Sequence, residues 1–173
     1  KPLVPEITPL EPDQVLAGFR KKLKERVDEL SELGFSYCGV YDVSAKKKTR
    51  DQVAVFLHSS HEVEFMLHFV RTSMGFESES IEFGSCLAPH GAVVLGTLNP
   101  LETTTAPPDL FLPMMSGEKA LKEFYQAHLE HLGVLSREGF EARPMNRENA
   151  ARRMMDRVKH SFEYHVKRGA MTR

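Results

Sequence analysis

The chain has 173 residues, of which 41% are hydrophobic and 27% are charged, and its formal net charge is −1. These values are ordinary for a globular domain, and a chain of this length holds a core without disulfides or metals. The small net charge argues against a nucleic-acid partner, and no run of apolar residues approaches the length of a membrane-spanning helix.

The chain begins with a proline-rich leader, residues 1–12, that favours extended backbone. Asp13 is the expected N-cap of a first helix, and Gly34 is the residue expected to end it. Between them, apolar residues recur at spacings of three and four, as on the buried face of an amphipathic helix. They are Leu16, Phe19, Leu23, Val27 and Leu30.

Alternation of apolar and polar residues then predicts five strands joined by short links. They cover residues 35–43, 52–58, 62–70, 79–87 and 92–98. Because the links are too short to hold crossover helices, we expect an antiparallel meander. In the first of these strands, alternation places five residues on one face. They are Phe35, Tyr37, Gly39, Tyr41 and Val43.

A long proline-rich segment, residues 99–113, follows the sheet and is predicted to include one short edge strand at 110–112. Ser116 is the expected cap of a second helix that ends at Gly133. A polar connector leads to a last helix, capped by Asn146 and running to about Arg168.

The predicted fold is therefore α+β, with an N-terminal helix, a five-stranded antiparallel meander sheet and two C-terminal helices packed on one sheet face. Residues 13–133 form the expected core domain. Residues 134–173 form a connector and a basic C-terminal helix that packs on the core or extends from it.

Metal and catalytic motifs are weak. His58 and His61 lie across one turn and Cys86 and His90 flank another, but neither pair has further ligands at a spacing typical of zinc sites. The chain has no nucleophile elbow and no glycine-rich phosphate loop. We therefore predict no catalytic residue, no metal and no cofactor, and two free thiols at Cys38 and Cys86.

One hypothesis, for a small-molecule-binding protein or an enzyme, is a ligand pocket between sheet and helices. Such pockets combine apolar walls with a few polar anchors, and six residues have that character. They are Tyr41, Phe65, Thr97, Asn99, Tyr125 and His128.

The favoured hypothesis is a non-enzymatic ligand-sensing or protein-interaction module, the soluble part of a membrane-associated protein. From Arg137 to Arg173 the chain has ten Lys and Arg against five Asp and Glu. A basic helix of this kind suits an anionic membrane surface, which predicts a cytoplasmic location at the membrane face. A homodimer is a further hypothesis, through a sheet edge or through Met154 and Met155, because these adjacent residues cannot both face one core stripe squarely and one would be exposed.

Overall fold

Three helices and eight strands make up the part of the chain that the computed structural model describes, which is residues 7–43, 49–89, 91–96, 107–111, 113 and 120–168. The helices are α1 (Ala17–Glu32), α2 (Leu121–Arg137) and α3 (Arg147–Lys167). The strands are β1 (Thr8–Pro9), β2 (Phe35–Asp42), β3 (Thr49–His58), β4 (Glu64–Thr72), β5 (Glu77–Ala88), β6 (Ala92–Gly96), β7 (Leu110–Phe111) and β8 (Glu141–Ala142). The predicted α+β class is confirmed, with eight strands in place of five.

The central five strands, β2 to β6, form the predicted antiparallel meander. β1 pairs with the outer side of β2, β7 pairs parallel to β6, and β8 pairs with the end of β5. Each of these three added strands is two residues long, which is too short for alternation to reveal it. β7 lies in the proline-rich segment, where we expected a short edge strand.

The sheet is covered on both faces. On one face, α1 and α2 pack on a cluster that includes Phe56 and Phe65. On the other face, α3 contributes Ala150 and Met154 to a cluster with Val53. The expectation that both C-terminal helices share one face is therefore corrected. The reason is that β3 is buried on both sides from Gln52 to Leu57, so each of its faces needs a cover.

A β-bulge in β2 corrects the predicted face of that strand. The pairing register shifts between Tyr37 and Gly39, so one extra residue enters β2 there. An extra residue inverts the alternation of side chains beyond it. Val40 consequently joins the cluster under α1 and α2, whereas Tyr41 joins the cluster under α3.

The N-terminus of α1 is stabilised from the sheet. Asp13 does not cap the helix, which begins three residues later than this residue predicts. Instead the buried Gln52 of β3 accepts a hydrogen bond from the Leu16 N–H at 2.9 Å and donates one to the Gln14 carbonyl oxygen at 3.2 Å. A long-range cap of this kind leaves no signal in the local sequence.

The other helix ends are partly as predicted. Asn146 caps α3, because its side-chain oxygen accepts the Asn149 N–H at 2.9 Å. The predicted end of α2 at Gly133 is wrong: the helix continues to Arg137, and Gly139, with φ of 92°, follows it. A glycine inside a helix is tolerated, at a modest cost, where the flanking residues pack well. Ser116 lies outside the described residues.

Candidate functional site

Of the six residues of the predicted pocket, the described structure brings three together and places a fourth on the opposite face of the sheet. Phe65 and His128 are fully buried on the α2 side of the sheet, within contact distance of the same Phe83 ring that Tyr125 also meets. Tyr41 faces α3 on the opposite side. The remaining two, Thr97 and Asn99, lie outside the described residues.

His128 forms a buried polar pair with Ser85. The Ser85 hydroxyl lies 2.9 Å from His128 Nε2, and both residues have no solvent exposure. Burial, followed by the charges of His131 and Arg157, lowers the pKa of His128 to about 3. The imidazole is therefore neutral, and this sealed pair has no access to a dissolved substrate. It is a structural hydrogen bond between α2 and β5.

The two histidines that were considered as a metal-binding pair, His58 and His61, make ordinary hydrogen bonds. His58 Nδ1 lies 2.9 Å from the Ser60 hydroxyl, and His61 Nδ1 lies 3.0 Å from the Met145 carbonyl oxygen. Within the described ranges, no group of three or more His, Cys, Asp or Glu side chains is arranged to hold a metal ion. Both cysteines are free thiols, Cys86 buried and Cys38 half-buried. His90 lies outside the described residues.

Basic residues of the C-terminal helix are divided between solvent and the interior. Arg152 and Lys159 are exposed, whereas Arg157 turns toward the sheet.

Met154 and Met155 are both buried, which corrects the expectation that one would be exposed. The buried arc of α3 is wide enough to include two adjacent residues, which are separated by about 100° around a helix. Over the part of the chain that is described, no helix is both long and apolar enough to cross a bilayer.

A cleft of about 290 Å³ lies where α3 crosses the end of β5, the turn into β6 and the start of β7. Charged and small residues line it in place of the aromatic walls that the sequence suggested. The lining residues are Cys86, Leu87, Pro89, Gly91, Ala92, Asp109, Leu110, Arg143, Arg153, Asp156, Arg157 and His160.

Close backbone packing shapes the floor of the cleft. Gly91 has φ of 93°, and a Cβ atom there would clash with the Asp109 carbonyl oxygen. That same oxygen accepts the Ala92 N–H at 3.1 Å, which joins β6 to the segment before β7. Across the mouth, His160 Nε2 lies 2.8 Å from Asp109 Oδ1 and ties α3 to this segment. A glycine at position 91 is therefore required for the cleft to have its shape.

Two of the three arginines make no salt bridge with a carboxylate in the described structure, although Arg153 lies near enough to Glu64 to be attracted to it. Arg143 Nη2 donates to the Pro89 carbonyl oxygen, which is a neutral acceptor. Arg153 is half-buried, and among the described residues it makes neither a hydrogen bond nor a salt bridge. Two carboxylates also line the cleft, of which Asp109 contacts His160 and Asp156 is exposed. The cleft therefore presents two guanidinium groups to a ligand.

The third arginine, Arg157, reaches from the cleft into a buried carboxylate. Its Nη2 donates to Glu64 Oε1, and its side chain is 12% exposed whereas that of Glu64 is fully buried. Its Nη1 lies 3.8 Å from the Cys86 sulfur. Gly84, the cross-strand partner of Glu64, leaves room for the pair: a Cβ there would lie 3.0 Å from Glu64 Oε1 and 3.2 Å from Arg157 Nη2.

Further titratable groups lie along the strands on either side of Glu64. His68 Nε2 lies 3.6 Å from Glu82 Oε2. Burial works against the charge of both groups, but their mutual attraction outweighs it, raising the pKa of His68 and lowering that of Glu82. Burial raises the pKa of Asp51 and of Glu64, although Arg157 opposes the shift at Glu64. The carboxyl group that Arg157 contacts behind the cleft, Glu64, therefore binds a proton more readily than an exposed carboxylate does.

The sequence pattern did not predict the cleft, although two signals were present. On the last helix, Arg153, Asp156, Arg157 and His160 recur at spacings of three and four. This charged row lies beside the apolar stripe, and a helical period of charge can mark a second buried or cleft-facing row. A further signal was Gly84 inside an otherwise regular strand, since such a glycine often marks a close approach by another group.

Comparisons of the chain with protein-family models, with curated proteins and with solved structures find no match. The function therefore has to be inferred from the chemistry of the cleft.

Proposed function

We propose that this domain is a ligand-sensing module that binds a small oxyanion, a carboxylate or a phosphate group, in the cleft beside α3. The observation that carries the proposal is the pair of guanidinium groups, Arg143 and Arg153, which face the cleft without a carboxylate partner among the described residues. Guanidinium groups match the planar or tetrahedral oxygens of such anions with two donors at once.

The surroundings strengthen this attraction. Leu87 and Ala92 are buried and line the floor, so a bound anion would lie partly away from water. Charge-assisted hydrogen bonds are stronger where water is excluded. The cleft volume of about 290 Å³ lies at the lower limit for small-molecule sites, so the ligand is small.

Isothermal titration calorimetry tests the proposal with two probes, sulfate for a tetrahedral anion and succinate for a carboxylate. Sodium chloride at matched ionic strength controls for general screening. Binding of either probe is expected, and the stronger of the two identifies the class of the anion. Arg153→Gln removes a charge-assisted contact worth about 1.5–3 kcal/mol, so it should weaken binding at least tenfold.

Two variants on the same helix serve as controls. Arg152→Gln makes the same change in net charge at an exposed neighbouring position and should leave affinity within about twofold of wild type. Asp156→Asn removes a negative charge from the cleft and should strengthen binding. The proposal fails if neither probe binds, or if Arg152→Gln weakens binding as much as Arg153→Gln does.

Contact of α3 with an anionic membrane surface, binding of a partner protein or of a second copy of the chain, and a cytoplasmic location stay predictions from the sequence.

A further inference from the structure

Arg157 is shared between the cleft and the buried cluster. Its guanidinium group lines the cleft and donates to Glu64 Oε1 at the same time. An oxyanion bound in the cleft approaches the same positive charge that stabilises the Glu64 carboxylate. The bound anion and the Glu64 carboxylate therefore compete for one guanidinium group. Whichever of them loses this hydrogen bond has to be neutralised or displaced.

Glu64 cannot reach water to compensate. Its side chain has no solvent exposure, and Oε2, its second carboxylate oxygen, is buried without a hydrogen-bond partner among the residues that the structure describes. Gly84 packs closely against the carboxylate, since a Cβ at position 84 would lie 3.0 Å from Glu64 Oε1. Arg157 Nη2 also lies 3.6 Å from the Met66 sulfur. A proton is the smallest species that can neutralise this carboxylate in place.

We propose that anion binding in the cleft is coupled to proton uptake by Glu64, so that the domain reports anion and proton concentration together. This inference rests on the anion-binding function proposed above. The overall charge of the buried region changes little when one anion and one proton enter together, whereas an anion alone would face Glu64 across a shared arginine.

The sign of the coupling follows from every group that faces Glu64. From the strands these are Cys38 of β2 and Glu82 of β5, and from α3 they are Arg153 and Arg157. His68 of β4 and Asp51 of β3 act at one remove, through Glu82. A negative charge brought to the cleft raises the pKa of each neighbouring carboxyl and imidazole group. Binding therefore takes up protons and releases none. Glu64 is the main acceptor because it shares its hydrogen-bond donor with the ligand.

The experiment is calorimetry with sulfate and with succinate in buffers of different ionisation enthalpy, slightly above neutral pH, where both probes are fully ionised. The dependence of the measured enthalpy on the buffer gives the number of protons taken up per anion. We expect uptake of roughly half to one proton, with affinity rising about threefold to tenfold for each unit by which pH falls. Glu64→Gln should abolish most of this uptake, whereas Glu62→Gln, at an exposed position two residues away, should retain it.

Infrared difference spectroscopy of the wild-type chain gives a second readout that needs no variant, since a protonated carboxyl group absorbs apart from a carboxylate. A new carboxyl band on addition of the anion is expected. Anion binding without proton uptake overturns the coupling and leaves the anion site standing. Uptake without a carboxyl band places the proton on a group other than a carboxylate and overturns the assignment to Glu64. If neither probe binds, the proposed function fails and the coupling fails with it.

Discussion

Replacing His128 with leucine together with Ser85→Ala removes the buried hydrogen bond between α2 and β5 and one titratable group. In the folded chain the pKa of His128 is lowered to about 3, chiefly by burial, from an ordinary value of 6.5. Below that ordinary value the unfolded chain binds a proton at His128 that the folded chain does not bind. The contribution of His128 to stability is therefore fully present above about pH 6.5 and is lost as pH falls toward about pH 3.

The magnitude follows from the two pKa values. Between about pH 7 and about pH 5, His128 becomes almost fully protonated in the unfolded chain and stays neutral in the folded chain. This difference lowers the unfolding free energy by about 2 kcal/mol. The double variant has no histidine at position 128 and therefore lacks this loss of stability. Its unfolding free energy should consequently fall by about 2 kcal/mol less than that of the wild-type chain over the same interval. Other groups, including Glu64, titrate in both proteins and cancel in the comparison.

The assay is urea denaturation followed by circular dichroism at the two pH values, with the linear extrapolation applied to both proteins. Gln126→Ala, at an exposed position two residues earlier on the same helix, should keep the wild-type dependence on pH. Parallel pH dependences for the wild-type chain and the double variant would refute the reasoning, because His128 would then take up a proton in the folded chain as easily as in water.

Two further stability predictions concern positions far apart in the chain. Gln52→Ala removes both hydrogen bonds that hold the start of α1 and should lower the unfolding free energy by about 2 kcal/mol in urea denaturation, whereas Gln14→Ala, whose side chain is exposed, should cost under about 1 kcal/mol. Gly91→Ala and Gly75→Ala both force a side chain into positive φ, at about 1 kcal/mol each, but only position 91 places a Cβ against the Asp109 carbonyl oxygen. Gly91→Ala should therefore lower the unfolding free energy more than Gly75→Ala does, and it should also weaken sulfate binding in calorimetry. Equal losses of stability with unchanged binding would show that the cleft is not packed as described.

The sheet was predictable because its order follows from local pattern. Alternation and short links suffice to predict β2 to β6 as an antiparallel meander, and the Asn146 cap shows where α3 begins. The bulge in β2 was not predictable in this way, because one inserted residue leaves the composition of the strand unchanged while it moves Tyr41 to the other face.

The cleft was harder to predict than the fold because its residues are brought together by tertiary contacts. Arg157 and Glu64 are 93 positions apart, and Arg143 and Pro89 are 54 positions apart. A charged residue on a helix is usually solvated, so pattern alone assigned the arginines of α3 to an exposed face. Arg153 and Arg157 line a cleft because α3 packs on the opposite face of the sheet from α2.

The most direct test of the anion site is titration of the isotopically labelled chain with sulfate, followed by backbone amide NMR. The shifts should change most at Cys86, Gly91 and Ala92 and along residues 153–160, with a single affinity shared by all of them. Arg153→Gln should suppress these changes. Shifts that spread over the exposed end of α3 near Lys167 and Arg168, or that leave the amides of the cleft unmoved, would contradict the site.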